Sequence, residues 1–104
     1  MAAKSRSKGK RIELELVHLH QDVGIPAEKL SRTGYTGPDL MIADEWTAEV
    51  KARASGKGFV ILEQWLGAAD LLFLRRDRQQ PLVVLSWETY LQMLKGYLAQ
   101  VPLP

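Results

Sequence analysis

From Trp46 to Arg53 the chain alternates strictly. Trp46, Ala48, Val50 and Ala52 are apolar, whereas Thr47, Glu49, Lys51 and Arg53 are polar. A period of two belongs to a strand with one buried face, so a strand is expected here with its even positions on the core. The preceding Pro38–Ala43 run predicts a second strand, with Leu40 and Ile42 inward. Pro38 suits only its start, because proline has no N–H to give a ladder. A side chain changes face with every one-residue slip, so the turn between these strands decides which residues meet. A turn of Asp44 and Glu45 alone separates Asp39 from Glu49. A turn of Asp44, Glu45 and Trp46 pairs Asp39 with Lys51 and Met41 with Glu49, and places Asp39, Glu49 and Lys51 on one face. We therefore expect an odd-length turn.

Elsewhere the spacing is helical or mixed. Ile12, Leu16, Leu19 and Val23 recur at helical intervals, predicting a helix from about Lys8 to Val23 with Gly24 as its stop. Ile12–Leu16 also alternates, so a strand competes there, but the segment's length favours the helix. Residues 28–33 suggest a short strand, and Gly34–Gly37 and Ser55–Gly58 read as loops. A helix is expected over Phe59–Ala68, although Phe59–Leu62 has some strand character. Asp70–Arg75 and Pro81–Leu85 read as strands on either side of a polar turn, the first buried by its continuous apolar run. A final helix runs from Ser86, its expected N-cap, to about Ala99, with Trp87, Leu91, Leu94 and Leu98 as an apolar stripe. The expected class is α/β, in the order αβββαββα, with a central mixed sheet flanked by helices.

Composition narrows the chemistry. A chain of 104 residues with 46% hydrophobic and 25% charged residues reads as one ordinary domain over residues 8–104 behind a disordered basic arm, residues 1–7. No apolar run approaches membrane-spanning length, no membrane partner is expected, and no signal peptide is visible, so we expect a cytoplasmic setting. The absence of cysteine excludes disulfides and thiolate metal sites. The net charge of +2 hides an asymmetry: residues 1–11 hold Lys4, Arg6, Lys8, Lys10 and Arg11 and no acid, leaving nine basic against 12 acidic residues in the body. A basic arm on a mildly acidic body suits phosphate contacts, and equally suits a solubilising tail.

Two carboxylates and a lysine on neighbouring strands suit a divalent metal and a scissile phosphate. Phosphodiester hydrolysis adds negative charge to an anion, which bare carboxylates repel. A divalent cation reverses that field and makes hydroxide near neutral pH. Magnesium accepts carboxylates, a carbonyl and several waters. Asp39, Glu49 and the Val50 carbonyl would supply these oxygens, and Lys51 would stabilise charge at the phosphate or orient water. The plain alternative is a set of cross-strand surface ion pairs.

The spacing of Pro38-Asp39 and Glu49-Val50-Lys51 resembles the motif of the PD-(D/E)XK nuclease superfamily. Lys8-Gly9, followed by Glu13, is similar to the opening of its archaeal-type Holliday junction resolvases. The likeness spans about Lys8 to Leu98 and implies a restriction-endonuclease-like core. It implies that Glu13 joins Asp39, Glu49 and Val50 at a magnesium ion, for which manganese would substitute. Lys51 would be catalytic, with Gln64 nearby on the following helix. The activity implied is endonucleolytic hydrolysis of branched DNA by a homodimer, with water as nucleophile. The candidate DNA contacts are Lys8, Lys10 and Arg11 of the arm, Arg32, Thr33, Tyr35 and Thr36 of the loop, and Arg53 and Lys57. Leu14 stands where an arginine commonly follows the glutamate, and Gly34-Tyr35-Thr36-Gly37 replaces a serine-glycine loop. Both departures bear on junction specificity. The alternative is a non-catalytic DNA-binding or assembly module that keeps the nuclease fold.

Other candidates are weaker. Glu15 is a substitute for Glu13. His18 and His20 do not face each other on a helix. Trp46, Trp65 and Trp87 read as core or interface anchors rather than base-stacking platforms. Arg75, Arg76 and Arg78 at one turn suit either phosphate contact or a solvated tip. No phosphate-binding glycine loop is present, which leaves nucleotide triphosphate use unsupported.

Overall fold

The computed structural model describes residues 2–30 and 36–100, with side chains from residue 9 onward. The described residues form a mixed α/β structure of three helices and two small antiparallel sheets. The elements are α1 (Ala2–Gln21), β1 (Ala27–Lys29), β2 (Leu40–Ile42), β3 (Trp46–Ala48), α2 (Phe59–Leu66), β4 (Leu71–Leu74), β5 (Leu82–Leu85) and α3 (Trp87–Gln100). This is the expected order, but the pairings are not those of one mixed sheet. The described strands form β1-β2-β3 and, separately, β4-β5, every pair antiparallel. The chain divides into two compact units, Met1–Ala54 and Ser55–Pro104.

In the first unit α1 starts at Ala2, taking in the segment expected to be a disordered arm. It ends at Gln21, and Gly24 lies beyond it at φ 82°, a left-handed conformation that glycine adopts without strain. The buried positions of α1 are Glu13, Val17 and His20, with Ile12 and Leu16 half-buried. Leu19 and Val23, expected in the apolar stripe, are exposed. The seam is therefore centred on Val17 and includes two polar residues, each with a partner. Ile25, Leu40 and Ile42 complete the buried core of this unit.

The alternation in β2 is as expected: Leu40 and Ile42 are buried and Met41 between them is not. The hairpin turn has an odd length, also as expected, but it consists of Ala43, Asp44 and Glu45. Ala43 and Asp44 both sit at φ 56°. Starting the turn one residue early moves the register by two: Leu40 faces Ala48, Met41 faces Thr47 and Ile42 faces Trp46. The expected pairs Asp39–Lys51 and Met41–Glu49 are thus replaced. The strand also stops at Ala48 instead of continuing to Arg53.

In the second unit α2 turns Phe59, Leu62 and Leu66 inward, all half-buried, and packs on β4 and β5. Ser86 caps α3: the Thr89 N–H donates to its Oγ (3.2 Å), and its own hydroxyl donates to the Thr89 Oγ1 (2.8 Å). Leu94 is buried and Leu91 and Leu98 are half-buried, so the expected stripe holds, except that Trp87 is exposed. β4 is not the doubly covered strand its apolar run suggested, since Leu71 and Phe73 face solvent.

Candidate functional site

Backbone geometry brings Asp39 to the end of β3. The Asp39 N–H donates to the Ala48 carbonyl (3.0 Å), although Leu40 is already the register partner of Ala48. Asp39, just before β2, and Leu40 thus both oppose Ala48, the two-against-one count of a β-bulge, which re-aims a side chain and ends pairing. The re-aimed Asp39 carboxylate accepts the Val50 N–H through Oδ2 at 2.8 Å. On its other side the Asp39 carbonyl accepts the Leu30 N–H (2.8 Å), tying the same residue to the end of β1. Asp39 is half-buried, whereas Glu49 and Lys51 on either side of Val50 are exposed.

Glu13 approaches from α1. It is 9% exposed and pairs with Lys29, the last residue of β1, at 3.8 Å. Burying a carboxylate at that depth costs free energy, which a paired cation and hydrogen bonds offset. Lys29 stands opposite Leu40 in the ladder, one residue from Asp39. Lys29 was not singled out from the sequence. A lone lysine in a three-residue strand carries no local signal, because its partner lies 16 positions away.

Of the expected metal ligands, Asp39 and the Val50 main chain are therefore joined by a hydrogen bond, and Glu49 is adjacent in the chain. Glu13 is engaged with Lys29. Among the described residues no three His, Cys, Asp or Glu side chains form a group that could hold a metal. Asp39, Glu49 and the Val50 carbonyl remain a set of hard oxygen donors. That set suits magnesium, which takes one or two carboxylates and keeps several waters.

The other site residues belong to both units. Gln64 and Lys57 are exposed and belong to the second unit. Lys10, Arg11, Thr36 and Arg53 are exposed on the first. Arg32, Thr33, Tyr35 and the Lys8 side chain lie outside the described residues. His18 is exposed and His20 buried with its Nδ1 2.6 Å from the Leu16 carbonyl, so the two imidazoles do not act together. Trp46, Trp65 and Trp87 are all exposed, so of their reading as core or interface anchors the core half does not hold. No helix among the described residues is long and apolar enough to cross a membrane. No family model, curated protein or solved structure matches the chain.

Proposed function

We propose that the chain is a metal-dependent endodeoxyribonuclease of the PD-(D/E)XK kind, with the restriction-endonuclease-like core that this implies, acting on branched DNA as a homodimer. The observation that carries this reading is the bond from the Val50 N–H to Asp39 Oδ2. It ties the Pro-Asp element to the middle residue of Glu49-Val50-Lys51, two stretches that the chemistry requires to be neighbours. Asp39, Glu49 and the Val50 carbonyl would hold magnesium or manganese. The chemistry supplied there would be Lewis acidity toward a phosphoryl oxygen and toward water. The chain's own part is to hold these oxygens and to present Lys51, an exposed cation one residue from Val50, to the phosphate. Lys10, Arg11, Thr36 and Arg53 would contact the backbone of the DNA.

A second reading, a non-catalytic DNA-binding module, is favoured by two observations. Asp39 already has a structural task in capping Val50, and Glu13 is satisfied by Lys29. Cleavage of a labelled four-way junction and a matched linear duplex, with magnesium, manganese or chelator, separates the readings. Wild type should cut the junction only with metal, and Asp39→Asn should not cut. Cutting of both substrates would keep the nuclease and remove junction preference. Metal-independent DNA binding without cutting by either protein would give the second reading the lead.

A further inference from the structure

We propose that the second unit carries a separate site for single-stranded DNA, in which Trp65 and Phe73 stack on unpaired bases while Arg75 and Arg76 hold the adjoining phosphates. The site is a cleft of about 770 Å³ that lies wholly within this unit, lined by Trp65 of α2, Phe73 and two leucines of β4, a leucine of β5, and Arg75, Arg76, Gln79 and Gln80 of the β4–β5 connection. Its aromatic groups are uncovered: Trp65 is 59% exposed and Phe73 66% exposed. Two large rings facing solvent in one cleft form a patch of the kind that marks a binding surface.

Charge says what covers them. The connection carries Arg75, Arg76 and Arg78 against Asp77 alone. The Arg75 Nε–H donates to the Gln79 carbonyl at 2.7 Å, which anchors its guanidinium at the turn. Aromatic faces beside anchored cations complement a polyanion whose monomers each bring a π-face and a phosphate. In a duplex the base faces are stacked on one another, so this platform selects unpaired nucleotides. An apolar protein segment would cover the rings but leave the arginines without anionic partners. Gln79 and Gln80 add amide donors and acceptors for base edges.

The test uses the full chain in chelator, so that nothing is cut and the outcome is independent of the Asp39 site. Binding of a short labelled oligothymidine and of a matched duplex is followed by anisotropy across a salt series, with intrinsic tryptophan fluorescence recorded in parallel. Oligothymidine should quench that fluorescence, and Trp65→Ala should weaken its binding by about 5- to 150-fold while duplex binding stays within about twofold. Arg75→Gln combined with Arg76→Gln should lower the slope of log affinity against log salt by about 1.4. Absence of oligothymidine binding by wild type would overturn the proposal. So would unchanged affinity in both variants with wild-type circular dichroism, or equal weakening on duplex. If Trp65→Ala instead abolishes self-association in sedimentation and leaves oligothymidine affinity unchanged, the cleft is an interface between copies and the proposal fails. Each of these failures leaves the nuclease reading of the first unit standing.

Discussion

Replacing Asp39 by Ala and by Asn separates two tasks that this residue combines. The half-buried carboxylate accepts the Val50 N–H at 2.8 Å. A hydrogen bond to a charged group contributes about 1.5–3 kcal/mol net, and partial access of water brings this one to about 1–2 kcal/mol. Asp39→Ala should lose that amount and leave the Val50 N–H without this acceptor. Asp39→Asn keeps a carbonyl oxygen at the same place, so its loss should be about 0.5–1 kcal/mol. Because the chain has two compact units, a global unfolding midpoint mixes their contributions. Amide exchange of the Val50 N–H is the local readout: strong protection in wild type, partial in Asn, lost in Ala. The metal task is read from stability. Magnesium at about 100 times its dissociation constant should stabilise wild type by about 2.7 kcal/mol and leave Asp39→Asn unmoved. Equal Val50 exchange in wild type and Asp39→Ala would refute the capping argument. A magnesium shift that persists in Asp39→Asn would refute the assignment of Asp39 as a ligand.

Three further outcomes follow from packing and charge. Lys29→Met should destabilise the first unit by about 1–2 kcal/mol, below the range for fully buried pairs because the lysine side chain is 25% exposed. Adding Glu13→Gln should restore part of that in urea denaturation, whereas additive losses would show that the pair is not coupled. Ser86→Ala should cost about 1 kcal/mol in the stability of the second unit, seen as a lower urea midpoint, and Ser86→Asp should restore it. Burial raises the pKa of the Tyr90 hydroxyl above its usual value. The folded state therefore holds this proton more tightly. Its contribution is complete below about pH 10 and is lost as pH rises through the raised folded value. Urea midpoints between pH 9 and 11.5 should fall more for wild type than for Tyr90→Phe, and parallel falls would refute the linkage.

What could be read from the sequence was local and periodic. The alternation around Leu40 and Ile42 identified their buried face, because a strand has only two. Ser86 was recognisable as a cap because capping is settled within one turn of helix. The odd turn was legible from the need to bring Asp39 beside Glu49-Val50-Lys51, but its starting residue was not. Ala43 at φ 56° is in a conformation that alanine seldom adopts, and its N–H reaches the carbonyl of Pro26 (2.7 Å), just before β1. The seam of α1 was misread for a similar reason. Counting apolar residues favours Leu19 and Val23, whereas burial of Glu13 depends on Lys29, supplied from β1. Continuous apolar runs misled in the opposite way: Leu71–Leu74 shows how apolar the strand is, not whether anything covers Phe73. The alternation led to Asp39 opposite Lys51, whereas the hydrogen bond from the Val50 N–H to the Asp39 carboxylate arises from the pairing at the end of the ladder and left no mark in the alternation.

The three-residue turn at Ala43–Glu45 also constrains how this chain can change length. Removing or adding one residue there would set Leu40 and Ile42 against odd-numbered partners, exchange the two faces of β3 and carry Thr47 toward the core. The hairpin therefore has something like a reading frame of two. Single-residue insertions or deletions in the turn should be as disruptive to Asp39 and its neighbours as frameshifts are to codons. Paired ones should be tolerated as in-frame changes. A small insertion library across residues 43–45, sorted for soluble folded protein, would display that parity directly, with survivors at even offsets and gaps at odd ones.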